Sequence, residues 1–342
     1  MLMKNRATTK REFAHSPAGT VTVEPIDHLE LYWQDSGNPL KWDCLFMLPP
    51  WLGTWWSYFG KGPETQLYVV RKENAVLGLA PLTVRGDTAR LISDSDLIDY
   101  SDVIVAPSGE REFLSTLFDH FRREGISRFD TGRVRADSTT VSCLKTYSGS
   151  IGSDISCAPV DVLYEMDLPD QWEGYLVSLS GKERHETRRK IRRLESAGYV
   201  GLRTIEDERD VSYAIETFLA LFRSNREEKA LFMTGDVKSF FRSLALAMAK
   251  SGLLTLYVLD VNDTPIAAAM CFDYRSTVYL YNNGYDRHFD YLSGGILTTV
   301  FSIRESIKRN RKRYNFLRGT ETYKGRLGGR PLKLLQCEVT LR

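Results

Sequence analysis

The densest run of reactive side chains in the sequence is Arg318–Arg326, which reads RGTETYKGR. Within it, Glu321 is a candidate general base and Tyr323 a candidate general acid or substrate contact. Arg318 and Lys324 could hold phosphate or carboxylate groups. A polar surface turn with ordinary ion pairs explains the same composition equally well. The segment therefore indicates catalysis only if the fold places it beside a cofactor.

A second candidate is the segment Ser293-Gly294-Gly295, followed by Ile296. The first turn of a helix presents unpaired N–H groups and a partial positive charge, and glycines allow an anion to approach the backbone closely. The pattern is neither GxGxxG nor GxxxxGK[ST], which argues against Rossmann and P-loop sites. The simpler interpretation is a glycine-containing helix start with Ser293 as its N-cap.

A third candidate is the basic run Gly181–Arg193, GKERHETRRKIRR. Ion pairs with its two glutamates would make it a solvated helix face. Five cations in the six residues 188–193 exceed such pairing, so Arg188 and Arg189 are candidate contacts for a phosphorylated ligand or an acidic membrane surface. We expect no nucleic-acid partner, because the run carries no interleaved aromatic residues for base stacking.

Acidic side chains supply further candidates. Four aspartates fall in the nine residues 94–102, with a spacing that does not fit an EF-hand loop. Asp99 and Asp102 could form the acidic wall of a substrate cleft, although a solvated loop explains the run as well. Asp286, in the irregular segment before the glycines, is a third candidate catalytic carboxylate.

Composition limits the class of protein. The 342 residues suffice for two domains, and a net charge of +2 excludes a strong overall field for nucleic acid. Five scattered cysteines without a CxxC pair, and five scattered histidines, predict free thiols and no metal site. Residues 1–20 contain no apolar segment typical of a signal peptide, so they predict a flexible tail and a cytoplasmic location.

The elements around the glycines predict a strand meander followed by a helix. Apolar runs predict antiparallel strands at Leu253–Val261, Pro265–Tyr274 and Thr277–Tyr281, with a turn at Asn262-Asp263-Thr264. An irregular segment is expected after Asn282-Asn283-Gly284. Helical spacing of apolar residues starts at Ile296. Two further strands follow, at 314–317 and 331–341.

The two halves of the chain repeat one another. Leu67–Val70 matches Leu256–Leu259, and at the same offset Leu77–Ala80 matches Ile266–Ala269. These matches predict an internal duplication, with an N-terminal domain at 21–165 and a C-terminal domain at 166–342. Trp51 and Trp55 share a helical face and predict core packing between the halves.

Four segments together resemble the CelD/BcsL-like branch of the GNAT acetyltransferases, which is linked to bacterial cellulose and exopolysaccharide synthesis. They read PPWLGTWWSYFG, SGKERHETRRKIRRLESAG, NNGYDRHFDYLSGGILTTVFSIRES and YNFLRGTETYKGRLG. The chain is also similar to the FemAB aminoacyltransferases, which are tandem GNAT folds. The resemblance implies an α/β fold of two GNAT-like halves, each a mixed, mostly antiparallel sheet flanked by helices.

The same resemblance implies transfer of an acetyl or longer acyl group from acyl-CoA to an amine or hydroxyl of a small-molecule, saccharide or peptide acceptor. The segment Ser293–Gly295 would hold the pyrophosphate, although the family usually has Ser-Pro-Gly there and the RxxGxG/A signature is absent. Two alternatives stay open. One is a FemAB-like transferase that uses aminoacyl-tRNA, and the other is an inactive GNAT fold that serves as a binding module.

Overall fold

A computed structural model describes residues 19–60, 62–93, 96–147, 153–225 and 231–341. Its strands are β1 Thr20–Glu24, β2 Thr65–Lys72, β3 Ala75–Arg85, β4 Thr88–Leu91, β5 Ile104–Val105, β6 Arg128–Asp130, β7 Val134–Arg135, β8 Ser153–Asp167, β9 Val200–Ile205, β10 Leu254–Val261, β11 Thr264–Tyr274, β12 Thr277–Tyr285, β13 Arg313–Arg318 and β14 Arg330–Leu341. Its helices are α1 Leu29–Gln34, α2 Pro49–Phe59, α3 Glu110–Arg123, α4 Thr139–Tyr147, α5 Trp172–Ser178, α6 Gly181–Glu195, α7 Glu208–Asn225, α8 Gly235–Lys250, α9 Gly294–Lys308 and α10 Thr322–Arg326. Most of the predicted tail, residues 1–18, lies outside the described part of the chain.

The described strands form one mixed sheet, in which one strand order occurs twice. Strands β1 to β4 are antiparallel neighbours, and β6 lies parallel to β4 after the chain passes through α3. Strands β9 to β12 are likewise antiparallel, and β13 lies parallel to β12 after α9. The matched segments on β2 and β10, and on β3 and β11, therefore occupy equivalent positions.

The last strand of each half lies against the other half. Strand β8 pairs with β13, and β14 pairs with β6, while β8 and β14 pair with each other over twelve residues of β14. The sheet is thus continuous from β4 to β12 through the exchanged strands. The predicted domain boundary at 165/166 falls within β8, and the division into two domains stays a prediction.

A disulfide joins Cys157 on β8 to Cys337 on β14. The two cysteines are directly opposite in the antiparallel register, so their side chains project to the same side at neighbouring positions. The prediction that all five cysteines are free thiols is wrong for this pair. Cys44, Cys143 and Cys271 are free and buried.

Strand β12 continues beyond its predicted end at Tyr281, as far as Tyr285. Asn282, Asn283 and Gly284 pair with β11, and a one-residue bulge at Tyr281 shifts the register. A Cβ on Gly284 would lie 2.3 Å from the backbone nitrogen of Phe222, so this glycine allows α7 to lie close on the strand. The predicted strand end at Tyr281 was therefore four residues early.

Tryptophans of α2 pack into the main core, as predicted. Trp51 is completely buried, and its ring makes edge contacts with the rings of Phe272 on β11 and Tyr281 on β12. Trp55 is also buried in this core. A helix from the N-terminal half therefore helps to hold β11 and β12, the strands that lead to the glycine pair.

Candidate functional site

The glycine pair forms the first turn of α9. Ser293 ends a 3-10 segment, Arg287–Leu292, in the left-handed conformation (φ 57°), and Gly294 and Gly295 begin the helix. The predicted helix start at Ile296 was therefore two residues late. Ser293 occupies the N-cap position without a side-chain cap bond. The first-turn N–H groups have no carbonyl partner within the helix and can bind an anion.

A cavity of about 640 Å³ connects this helix start to the segment after β13. The described residues that line it are Asn225, Asn283, Tyr285, Asp290, Ser293, Gly294, Gly295, Ile296, Thr320, Glu321, Thr322 and Tyr323. The structure thus brings together the predicted cofactor segment 293–296 and two predicted catalytic residues, Glu321 and Tyr323. Asp290 and Glu321 are the charged members of this lining.

This cavity of about 640 Å³, called the large cavity below, lies where β12 and β13 diverge. The two parallel strands pair only between 277–279 and 313–315. Beyond that point β12 bulges at Tyr281, and β13 carries its own register shift between Asn315 and Leu317. A smaller cavity of about 200 Å³ lies in the opening, lined by residues 280–283 and 316–318. An extended ligand could therefore lie between the strands with its end in the larger cavity.

Tyr323 lines both of these cavities and a third one of about 590 Å³. The third cavity lies between α6 and α10 and carries more basic than acidic side chains: Lys182, His185, Lys190 and Arg326 against Glu183 and Glu186. Burial raises the pKa of the Tyr323 phenol well above its ordinary value, and the nearby Glu321 carboxylate raises it further. The phenol is therefore protonated at neutral pH and can donate a hydrogen bond into any of the three spaces.

Lys324 does not line the large cavity, although it was predicted to bind the cofactor. Its side chain is 3% exposed, and its Nζ donates to the carbonyls of Leu317 and Arg318. It also forms a 3.0 Å ion pair with the Glu321 carboxylate. All three ammonium donors point at protein oxygens, so Lys324 orients Glu321 and fixes the turn after β13 and has no donor left for a phosphate.

Arg318 lies away from the glycine pair as well. Its guanidinium lies within 3.1 Å of Asp96, 3.6 Å of Asp99 and 3.5 Å of Asp161. The predicted substrate residue Asp99 is buried, and it accepts a 2.9 Å hydrogen bond from the backbone nitrogen of Arg318. Burial raises the pKa of Asp99. This pair joins the acidic segment to β13 and lines the smaller cavity in the strand opening.

Asp102, the second predicted substrate residue, lies at a different cavity of about 300 Å³. Its carboxylate accepts hydrogen bonds from the backbone nitrogens of Val103, Thr139 and Thr140 and from the Thr140 hydroxyl. Burial raises its pKa to about 6, against the effect of these donors. The contacts tie the start of α4 to the acidic segment, so the structure does not bring Asp102 to the glycine pair.

Asp286, the third predicted catalytic carboxylate, caps the 3-10 segment. It accepts a 3.0 Å hydrogen bond from the backbone nitrogen of His288, and it also lies 2.8 Å from the ring nitrogen Nδ1 of His288. The backbone hydrogen bond lowers the pKa of Asp286. A carboxylate held in this way is a weak base, and Asp286 is absent from the described lining of the large cavity.

The basic helix α6 contacts the glycine pair through a residue that was not predicted. Arg188 pairs with Glu173 at 3.2 Å and Arg189 with Glu186 at 2.8 Å, both at exposed positions. Arg193 instead donates a 2.8 Å hydrogen bond to the Ser293 hydroxyl, and its buried Nε has no hydrogen-bond partner within the described ranges of the chain. It was one of five cations in the run, and no local signal in the sequence distinguishes it from the others.

The N-terminal half has a counterpart of the glycine pair. Ser108 has the same left-handed conformation as Ser293 (φ 66°), but Glu110 begins α3 where Gly295 stands in the second half. The opening beyond β4 and β6 is occupied by the chain itself, because Arg133 donates to the carbonyls of Ser93, Ile98 and Asp99. The carboxylate of Glu110 at the start of α3 and the filled opening beside it disfavour an anionic ligand in the N-terminal half.

Comparisons with known proteins agree with this geometry. Residues 181–325 match the acetyltransferase (GNAT) domain family. The fold is similar to that of FemX, with a TM-score of 0.61, 12% identity, and coverage of 93% of this chain and 96% of that chain. A conserved protein of unknown function from Bacteroides thetaiotaomicron gives a TM-score of 0.54 at 13% identity, covering 92% and 96% of the two chains.

The C-terminal domain of a candidate lysylphosphatidylglycerol synthetase from Agrobacterium fabrum gives a TM-score of 0.52 at 9% identity, over 77% of this chain and 80% of that chain. A search of curated proteins gave no match. The predicted α/β fold with GNAT-like halves is confirmed, and the domain match supports acyltransferase activity in general terms. Among the described residues, no helix is long and apolar enough to cross a bilayer.

Proposed function

We propose that this protein transfers an acyl group from acyl-CoA to an amine or hydroxyl acceptor. One observation carries the proposal: the first turn of α9, with Gly294 and Gly295, shares a cavity with Glu321 and Tyr323. The helix start suits the pyrophosphate of CoA because its N–H groups and partial charge favour an anion. The glutamate and the tyrosine provide proton-transfer groups in the same space.

The basic cavity between α6 and α10 suits the nucleotide end of the same ligand. It shares Ile296 and Tyr323 with the large cavity, so a molecule bound at the helix start can extend into it. Lys182 and Lys190 line it and would face the remaining phosphate. The pantetheine arm would then lie in the opening between β12 and β13.

The reaction follows from these positions. The acceptor loses its proton to Glu321, directly or through water, and attacks the thioester carbonyl carbon. A backbone N–H of β12 near the bulge polarises the carbonyl oxygen. The C–S bond breaks as the new C–N or C–O bond forms, and the leaving thiolate takes a proton from Tyr323. Glu321 then releases the acceptor's proton to solvent, and the phenol of Tyr323 is reprotonated from solvent.

A place for the acceptor in polysaccharide or cell-envelope biosynthesis rests on the sequence resemblance, and the proposal covers transfer of an acetyl or a longer acyl group. We assign the cofactor site to the C-terminal domain, 166–342, and we propose that the N-terminal domain, 21–165, helps to close the acceptor cleft. A cytoplasmic location is part of the same proposal, since acyl-CoA is an intracellular donor. Peripheral contact of α6 with an acidic membrane surface fits its exposed cations.

A matched pair of variants at Ser293 tests the cofactor site. Ser293→Asp and Ser293→Asn are similar in size, both tolerate the left-handed conformation, and both can cap a helix. Only the aspartate places a negative charge where the pyrophosphate would bind. We expect isothermal titration calorimetry to show acetyl-CoA binding weakened at least tenfold in Ser293→Asp relative to Ser293→Asn, with equal melting temperatures. Equal affinities would overturn the cofactor site.

The aminoacyl-tRNA alternative draws on the likeness to FemX, which at 12% identity concerns the fold alone. It would use the cations of α6, where Arg188, Arg189 and Lys190 each also pair with a glutamate. Exchanging Arg188 and Arg189 for glutamine distinguishes the acyl-CoA function from the aminoacyl-tRNA function. In the variant, RNA binding would weaken and depend less steeply on salt concentration, whereas acetyl-CoA binding would not change. The inactive-module alternative predicts no stabilisation by any acyl-CoA.

A further inference from the structure

The wall of the large cavity contains a buried amide that the proposed reaction does not use. Asn225 is the last residue of α7 and is 5% exposed. Its Oδ1 is buried and has no hydrogen-bond partner among the described residues. An unpaired polar atom in such a position destabilises the folded protein, so its retention indicates a partner that enters the cavity.

The backbone around Asn225 holds the amide in place. Helix α7 lies so close to β12 that a Cβ on Gly284 would contact the backbone of Phe222. The Ser224 hydroxyl lies 3.3 Å from the carbonyl of Tyr285, which adds a second link to the same strand. Tyr285 itself lines the cavity beside Gly295. The end of α7 therefore has a fixed position relative to the glycine pair.

Asn225 shares the large cavity with the proposed pyrophosphate site but lies outside the two spaces proposed for the rest of CoA. It lines the large cavity, but it is absent from the described linings of the basic cavity and of the strand opening. Those two spaces are where the nucleotide and the pantetheine arm are proposed to lie. The pyrophosphate proposed at the glycine pair shares this cavity, but it has only acceptor oxygens and cannot satisfy the Asn225 Oδ1. A donor group that reaches Asn225 therefore belongs to the other reactant, which enters the large cavity beside Glu321.

We propose that Asn225 determines acceptor specificity, and that its amide binds a hydroxyl or amide group carried by the acceptor close to its nucleophile. This inference rests on the proposed acyl transfer at the same cavity. A carboxamide offers both an acceptor and a donor, so its best partners are groups that also do both. A site with a buried amide discriminates against an analogue that lacks such a group, because the amide then stays unpaired.

Two matched pairs of acceptors test this recognition. Glucosamine and cyclohexylamine are primary amines on six-membered rings that differ in their hydroxyl groups, and glycinamide and propylamine differ in an amide. We expect the wild-type enzyme with acetyl-CoA to prefer the hydrogen-bonding member of at least one pair by about tenfold or more in kcat/KM. The pair that shows the preference distinguishes a saccharide from a peptide-like acceptor.

The variant Asn225→Leu keeps the branching of the side chain at Cγ, with a larger volume, and removes the amide. It should reduce that preference by about tenfold while leaving the KM for acetyl-CoA unchanged, and Asn225→Ser should give an intermediate value. Ser224→Ala is the control, because its hydroxyl bonds backbone carbonyls and not the cavity. The melting temperature of Asn225→Leu should stay equal or rise, whereas a purely structural amide predicts a fall.

The failures of this inference and of the proposed function are distinguishable. Equal rates within both pairs, transfer to none of the four amines by protein that binds acetyl-CoA, or a raised KM for acetyl-CoA in Asn225→Leu each overturn the role of Asn225 alone. Loss of acetyl-CoA binding by the wild-type protein overturns the proposed function itself.

Discussion

The guanidinium of Arg193 donates a 2.8 Å hydrogen bond to the hydroxyl of Ser293, which lies 100 positions later in the chain. This contact joins the basic helix α6 to the start of α9. It places a positive charge directly behind the helix N-terminus that we propose as the pyrophosphate site. The Nε of Arg193 is buried and has no hydrogen-bond partner in the part of the chain that the structure describes.

The first prediction concerns this guanidinium. Exchange of Arg193 for methionine should weaken acetyl-CoA binding about tenfold, because a hydrogen bond to a charged group contributes about 1.5–3 kcal/mol. Isothermal titration at low and high salt measures the effect, and the variant should show the smaller salt dependence. Arg189→Met is the control, since Arg189 is exposed and pairs with Glu186 on its own helix. Equal losses of acetyl-CoA affinity in the two variants would contradict a specific role of Arg193 and attribute the effect to the overall charge of α6.

Local patterns in the sequence were sufficient to predict the elements that surround the site. The apolar runs of β10 and β11 and the helical spacing of α9 depend on neighbouring residues, and the structure places them within one or two residues of the prediction. The joint lining of one cavity by 293–296 and Glu321 follows from that order of elements.

Features that depend on distant contacts were not predictable from one sequence. The disulfide joins cysteines 180 positions apart, which meet only because β8 and β14 are exchanged between the halves. The burial of Lys324 depends on carbonyls that the turn after β13 presents inward. The unpaired amide of Asn225 depends on how closely α7 approaches Gly284. In each case residue type and spacing carry no signal of the partner.

The second prediction concerns Lys324 as a structural residue. Lys324→Met should lower the free energy of unfolding by about 2–4 kcal/mol, because it leaves two carbonyls unpaired and removes the partner of Glu321. Urea denaturation measures this loss. Glu321→Gln is the control and should cost less than about 1 kcal/mol, since Glu321 is 52% exposed. If Lys324 bound phosphate instead, acetyl-CoA affinity would fall in the folded variant while stability changed little.

The third prediction concerns Tyr323 as proton donor. Tyr323→Phe keeps the ring that lines the three cavities and removes the hydroxyl, so kcat should fall about a hundredfold with little change in the KM for acetyl-CoA. Because burial raises the pKa of this phenol, its ionisation should produce no fall in wild-type kcat up to about pH 10. Steady-state kinetics between pH 6 and 10 checks both statements, and an unchanged kcat would leave Tyr323 as a wall residue only.

The fourth prediction concerns the pH dependence of stability through Asp102. Burial raises its pKa to about 6 in the folded protein, from 3.8 for an ordinary aspartate. Between these two values the folded state binds more protons than the unfolded state, so the contribution of Asp102 to stability is largest below about pH 4 and is lost as the pH rises through 6. The expected change is about 3 kcal/mol.

Other carboxylates have lowered pKa values and act in the opposite direction, Asp87 and Glu186 among them. The quantity to measure is therefore the difference in unfolding free energy between the wild type and Asp102→Asn, by urea denaturation from pH 4 to 7. That difference should decrease steadily as the pH rises, because asparagine does not titrate. Since Asp102 lies at a different cavity from the glycine pair, acetyl-CoA and acceptor KM values should be unchanged in the variant. A raised acceptor KM would instead make Asp102 a substrate contact, as the sequence alone suggested.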